Sequence, residues 1–141
     1  MRSYQAIPVL VALLLAALLL AACGSTPKVD RVDVTWSSLS PAPRWGLYPG
    51  YRQEIEFRPL SAYTVDFFSG GKVVTGGTVG DTGASLVFVA SAGARDVSAQ
   101  SEGPGKLTIT VTLKDEKGGT HPQVCLRVER QGDKIWFEFP K

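Results

Sequence analysis

The sequence predicts an all-β chain, and three observations carry the prediction. Apolar residues recur at every second position through most of its length, the spacing of a strand with one buried face. Turn-forming clusters such as Ser69-Gly70-Gly71 and Gln131-Gly132-Asp133 interrupt that alternation at short intervals. Beyond residue 22 no window carries a 3.6-residue apolar pattern. Residues 84–99 hold several alanines, but Gly93 and the β-branched Val87, Val89 and Val97 argue against a helix there.

Taken in order, Val32, Val34 and Trp36 alternate with Asp33 and Thr35, and Ile55 and Phe57 alternate with Glu54 and Glu56. Tyr63, Val65 and Phe67 alternate with Thr64 and Asp66. The Ser69-Gly70-Gly71 turn then leads into a strand over 72–75. Residues 86–89 form a continuous apolar run, as in a strand covered on both faces. Leu107, Ile109, Val111 and Leu113 face one way and Thr108, Thr110 and Thr112 the other. After the loop at 115–119, Val124, Leu126 and Val128 repeat the pattern. Ile135, Phe137 and Phe139 complete a three-stranded meander. Seven or eight short strands in about 110 residues predict a single β-sandwich over 29–141, immunoglobulin-like in architecture, with a small β-barrel as the alternative. The Cys…Trp…Cys pattern of true immunoglobulin domains is absent, so the likeness concerns architecture alone.

The N-terminus reads as an address. Arg2 precedes a run over 6–20 that is almost entirely Ala, Leu and Val. A charged head, an apolar middle and small residues before a break define a secretory signal. The segment 6–22 sits at the lower edge of the roughly 17–25 residues that span a bilayer, and no basic cluster follows as a stop-transfer signal. Leu20-Ala21-Ala22-Cys23 resembles the lipobox of bacterial lipoproteins: an aliphatic residue, two small ones, then Cys. That resemblance covers only the first two dozen residues. It implies a signal peptide 1–22 cleaved before Cys23, acyl chains such as palmitate on Cys23, and a lipidated tether over 23–28. Two or three acyl chains anchor stably where one binds marginally. Gly24 stands where Asp would signal inner-membrane retention in Gram-negative bacteria, so in an envelope of that type the resemblance implies the outer membrane, on its periplasmic or surface face.

Composition narrows the partners. Of 15 Lys and Arg only Arg2 is lost with the signal, against 13 Asp and Glu, and the signs are interspersed. A near-neutral chain of this kind excludes nucleic acid on electrostatic grounds. With Cys23 lipidated, Cys125 is left alone in an oxidising compartment, on the strand face shared with Arg127 and Glu129 and opposite Val124 and Leu126, either buried and inert or available for a homodimer.

Little in the chain carries chemistry. Asp81-Thr82-Gly83-Ala84-Ser85 resembles the signature of retropepsin-like aspartic proteases, in which Asp81 would share a proton with a second carboxylate. Gly80 stands where an apolar residue packs in that family, and the glycines at 76, 77 and 80 suggest a flexible turn. A surface turn with Gly83 at positive φ is the simpler reading. His121, Cys125, Asp115 and Glu116 invite a metal site, but structural zinc needs four N or S ligands. One His and no Gly-x-Ser-x-Gly elbow leave nothing from which to build a nucleophilic triad. No catalytic, metal or cofactor site is therefore expected.

Residues 40–59 form the longest stretch with weak alternation at its start and are rich in aromatics. Trp45, Tyr48 and Tyr51 lie beside Arg44 and Arg52, with Pro41, Pro43, Pro49 and Gly50 stiffening the stretch. Flat rings with nearby donors suit stacking on sugars, and loops on rigid scaffolds often carry binding. These five residues are the candidate ligand site. The expected function is that of a membrane-anchored, non-enzymatic binding module acting on an envelope protein or a glycan; the alternative is an accessory subunit of an envelope secretion or assembly complex.

Overall fold

The computed structural model describes residues 26–141. The signal segment, the lipobox and Cys23 lie outside the described residues. Ten strands fill the chain: β1 (Arg31–Trp36), β2 (Arg44–Leu47), β3 (Arg52–Glu56), β4 (Ala62–Ser69), β5 (Lys72–Asp81), β6 (Leu86–Ala90), β7 (Val97–Ser101), β8 (Lys106–Lys114), β9 (Thr120–Gln131) and β10 (Lys134–Glu138). They form two antiparallel five-stranded sheets, ordered β2-β1-β4-β5-β6 and β3-β10-β9-β8-β7. The sheets pack face to face as a β-sandwich. Each ends in open edge strands, which sets the barrel aside.

The alternation read from the sequence decides which residues meet in the middle. Val32, Val34 and Trp36 of β1, Tyr63, Val65 and Phe67 of β4, and Leu107, Ile109 and Val111 of β8 all point inward. So do Ile135 and Phe137 of β10. Tyr63 bridges the layers, its ring 5.7 Å from Trp36 and 5.0 Å from Phe137 between centroids. Fully burying side chains of this size stabilises by about 1.5–3 kcal/mol each.

Turn chemistry sets the register. Gly70 and Gly71 both take positive φ, 60° and 79°, as a two-residue hairpin turn between β4 and β5 requires. In Tyr48-Pro49-Gly50-Tyr51 the Tyr51 amide donates to the Tyr48 carbonyl at 2.8 Å and Gly50 has φ 90°, so Pro and Gly occupy the positions a type II turn favours. This turn carries the chain from the first sheet to the second.

Register also sorts the connections between two ends of the sandwich. The Val29 amide donates to Gln123 Oε1 at 2.8 Å and Gln123 Nε2 returns a bond to the Val29 carbonyl, clamping the entering chain between the sheets. At this same end lie the 48–51 turn, the β4–β5 and β8–β9 hairpins, the 91–96 loop and the C-terminus. The β3–β4, β5–β6 and β9–β10 connections occupy the opposite end.

Four expectations change. The start of residues 40–59, read as a loop carrying the aromatics, contains a strand, β2, at the edge of the first sheet, while the expected strand there, β3, is an edge of the second. The glycines at 76, 77 and 80 lie inside β5, not in a flexible turn. Gly76 and Gly77 are buried there because a Cβ would fall 2.5 Å from the Val65 carbonyl oxygen at the first and from the Phe88 ring at the second. The apolar run at 86–89 is an edge strand open on its outer face, with Val87 40% and Val89 64% exposed. Cys125 does not share a face with Arg127 and Glu129. A bulge at Ile109/Thr110 pairs Ile109 with Leu126 and Thr110 with Val124, which leaves Cys125 as the extra residue. The bulge turns Cys125 fully inward and Val124 outward.

Candidate functional site

The five predicted site residues do not converge. Arg44, on β2, donates from Nε to the Thr35 hydroxyl at 3.2 Å on the outer face of the first sheet. Trp45 is half-buried and packs against the core. Tyr48 and Tyr51 pair edge to face at 5.4 Å, both largely exposed, at the end where the N-terminal segment enters. Arg52 turns onto the outer face of the second sheet, where its guanidinium lies 4.8 Å from the centre of the Trp136 ring. The structure therefore brings together Tyr48 with Tyr51, and separately Arg52 with a tryptophan the sequence reading passed over. The signal for Trp136 was available. Ile135 and Phe137 point inward, so the residue between them must project outward, and an indole there is unusual for a solvated face.

Trp136 lines one end of a groove across the second sheet. Cross-strand pairing places Arg52 beside Glu138, Glu138 beside Arg127, and Arg127 beside Thr108; one step along, Glu54, Trp136, Glu129 and Lys106 form the parallel row. A depression of about 100 Å³ is lined by Arg52, Arg127, Glu129, Trp136 and Glu138. A second, of about 250 Å³, continues from Arg127 and Glu129 to Thr108, Lys106 and Glu102. The two share Arg127 and Glu129 and so form one track.

Its ion pairs are loose. Arg127 Nη1 lies 4.0 Å from Glu138 Oε1 and Lys106 Nζ lies 3.8 Å from Glu129 Oε1, with every partner at least 40% exposed. Exposed pairs of this kind contribute about 0–1 kcal/mol, and a surface cation–π contact about 0.5–1 kcal/mol. The donors and acceptors are therefore free to re-pair with a ligand at small cost. A flat indole flanked by guanidinium and carboxylate groups offers what a polyhydroxylated chain needs: an apolar platform, with donors for its oxygens and acceptors for its hydroxyl protons.

The other motifs are structural. Asp81 points into the sandwich, where its Oδ1 accepts from Arg130 Nη1 at 2.6 Å and from the Gly83 amide at 3.2 Å. Its Oδ2 accepts from the Leu60 amide at 3.2 Å. Gly83 does take positive φ, 85°, but Asp81 is a buried strand residue and not part of a surface turn. What faces it is a guanidinium, where a retropepsin would place a second carboxylate. His121 Nε2 and Asp115 Oδ2 lie 2.8 Å apart, and Asp115 Oδ1 accepts from the amides of Lys117 and Gly119. These contacts clip the β8–β9 hairpin and hold the Asp115 carboxyl below its usual range, the His121 bond being the largest cause. Burial pushes the Cys125 thiol up to about 12, so a dimer disulfide would require the sandwich to open around it.

A larger open depression of about 520 Å³, between the β4–β5 hairpin and the 91–96 loop, is lined by Val73, Val74 and Ala94 together with Asp66, Arg95 and Asp96. Comparison of the chain with protein-family models, with curated proteins and with solved structures gave no match.

Proposed function

We propose that this chain is a membrane-anchored lipoprotein of the bacterial cell envelope whose sandwich serves as a non-enzymatic binding module, with the groove across the second sheet as its ligand face. The observation that carries the reading is Trp136, partly exposed on the outer face of β10, with Arg52 over its ring and Arg127, Glu129 and Glu138 around it. The lipobox resemblance at 20–23 supports the anchoring. The ligand class that suits this chemistry is a glycan of the envelope, peptidoglycan fragments being the first to try. The groups that invite catalysis are otherwise engaged: Asp81 by Arg130, His121 by Asp115, and Cys125 by the core.

Titration with soluble peptidoglycan fragments, followed by intrinsic fluorescence and calorimetry, tests the ligand face. Saturable binding is expected, lost in Trp136→Ala and weakened in Arg127→Ala while the circular dichroism stays native. Equal binding by wild type and Trp136→Ala, or none at millimolar fragment, would refute it.

The accessory-subunit reading has one observation in its favour, the exposed Val87 and Val89 on edge strand β6. An apolar edge strand is a template for strand addition. Co-purification with a membrane partner in mild detergent, abolished by Val89→Lys, would support that reading over a free glycan binder.

A further inference from the structure

The end of the sandwich where the chain enters gathers two kinds of side chain that suit a bilayer surface. Tyr48 and Tyr51, 47% and 56% exposed, project there from the β2–β3 turn, and Val73 projects from the β4–β5 hairpin at 55%. Of the seven lysines among residues 26–141, five lie at this end: Lys28 before β1, Lys72 and Lys114 at hairpin bases, Lys117 in the β8–β9 turn and Lys141 at the C-terminus. Only Lys106 and Lys134 lie toward the other end. Arg95 joins the five. The acids at this end are Asp30, Asp96, Asp115, Glu116 and the terminal carboxylate. Two of these accept from backbone amides, Asp30 from Gly70 at 3.0 Å and Asp115 within its own hairpin, which leaves the six cations against five carboxylates.

The entering chain leaves from the middle of this end. Ser69 Oγ donates to the Lys28 carbonyl at 2.6 Å, and Thr26, Pro27 and Lys28 lie along 120–123. Val29 is the first residue clamped into the fold, and Cys23 precedes it by six positions. A fully extended chain of that length reaches about 22 Å at most, so an acylated Cys23 would keep this end within about 22 Å of the headgroup layer.

From this placement we infer that the tether end is a membrane-contact surface, on which Tyr48 and Tyr51 sit at headgroup level and the lysines meet the phosphates of anionic lipid. Tyr is enriched at that level because its ring is apolar and its hydroxyl wet, and each Lys near an anionic surface adds attraction. The consequence is orientation. Docked on this end, the domain holds the Trp136 groove beside the membrane normal and turns its opposite loops outward. The inference rests on the anchoring proposed above.

Cys125 is buried and Cys23 would be acylated, so a single introduced cysteine takes a nitroxide cleanly. The full lipidated chain is labelled at Pro49→Cys, beside the Tyr pair, or at Ala84→Cys, at the far end. It is then placed on vesicles of phosphatidylethanolamine with phosphatidylglycerol. Collisions of a water-soluble relaxant with the label at 49 are expected to fall severalfold relative to detergent, while the label at 84 is unchanged. Replacing phosphatidylglycerol by phosphatidylcholine, or adding Tyr48→Ser with Tyr51→Ser, restores access at 49. Equal access at 49 and 84 in a chain that carries palmitate overturns the docking and leaves anchoring intact. Failure to incorporate palmitate overturns both.

Discussion

Removing the guanidinium of Arg130 tests the packing of the two sheets most directly. Its partner carboxylate, on Asp81, is fully enclosed, and Arg130 itself is only 19% exposed; the bond between them, from β9 to β5, is 2.6 Å long. The Arg130 guanidinium also lies 5.1 Å from the centre of the Phe57 ring. In Arg130→Met, Asp81 keeps the amides of Gly83 and Leu60 but loses its only counter-charge among the described residues. Breaking a buried pair from one side costs about 3–5 kcal/mol, because the remaining charge stays desolvated. For a domain of this size that corresponds to a fall of about 12–20 °C in Tm. Asp81→Asn should cost less, about 1–3 kcal/mol, since it removes the charge and keeps an acceptor for one amide. The double variant should then be less destabilised than the two singles predict, with a coupling energy well above 1 kcal/mol by urea denaturation. A loss below about 1 kcal/mol for Arg130→Met, or strict additivity, would place the pair in the exposed class and refute the reasoning.

Three further outcomes follow from single contacts. Gly77→Ala would drive a Cβ to 2.5 Å from the Phe88 ring and the Val89 carbonyl oxygen; a loss of about 1–3 kcal/mol is expected, and an unshifted urea midpoint would contradict it. The Cys125 thiol, with its pKa raised by burial to about 12 against an ordinary 9.0, should resist a disulfide reagent at neutral pH in the native state and react at once in guanidinium. The corresponding stabilisation is full below the ordinary value and is lost as pH rises from there toward the raised one; native labelling as fast as denatured labelling would refute the burial. Asp115 is shifted the other way. Its contribution is present above the ordinary value of 3.8 and lost as pH falls through the lower folded value. Asp115→Asn should remove that acid dependence from the exchange protection of the Lys117 and Gly119 amides, and an unchanged acid profile would refute it.

The elements legible in the sequence were those with several inward residues. β1, β4, β8 and β10 each bury two or three alternating apolar side chains, and the period-two pattern found all of them. β2 and β7 were missed because each buries a single residue, Leu47 and Val97. Such edge strands are held by backbone pairing to a neighbour, for which the local sequence carries no periodicity. The bulge in β9 was invisible for a related reason. Val124, Leu126 and Val128 alternate in sequence, yet the extra residue at Cys125 turns Val124 outward while Leu126 and Val128 stay inward, and only pairing with β8 reveals it.

The candidate site divides in the same way. An aromatic-rich segment with flanking arginines was plain at 44–52, but the 48–51 turn sends its two arms into different sheets, so Arg44 and Arg52 end far apart in role. The Trp136 groove joins strands far apart in the chain, and the Asp81–Arg130 pair joins residues 49 positions apart.

By itself the amino-acid order determined the class of fold, the inward face of the well-buried strands, and the Gly-Gly and Pro-Gly turns. Each of these depends on neighbours in the chain, through side-chain alternation or permitted φ. The tertiary structure alone decided that Asp81 is an ion-paired bridge, that Cys125 is enclosed, that Trp136 anchors a polar groove, and that Tyr48 and Tyr51 stand at the end where the chain enters. Those facts depend on strand order and register, which arise when distant segments compete for the same hydrogen-bonding edge and the same core volume.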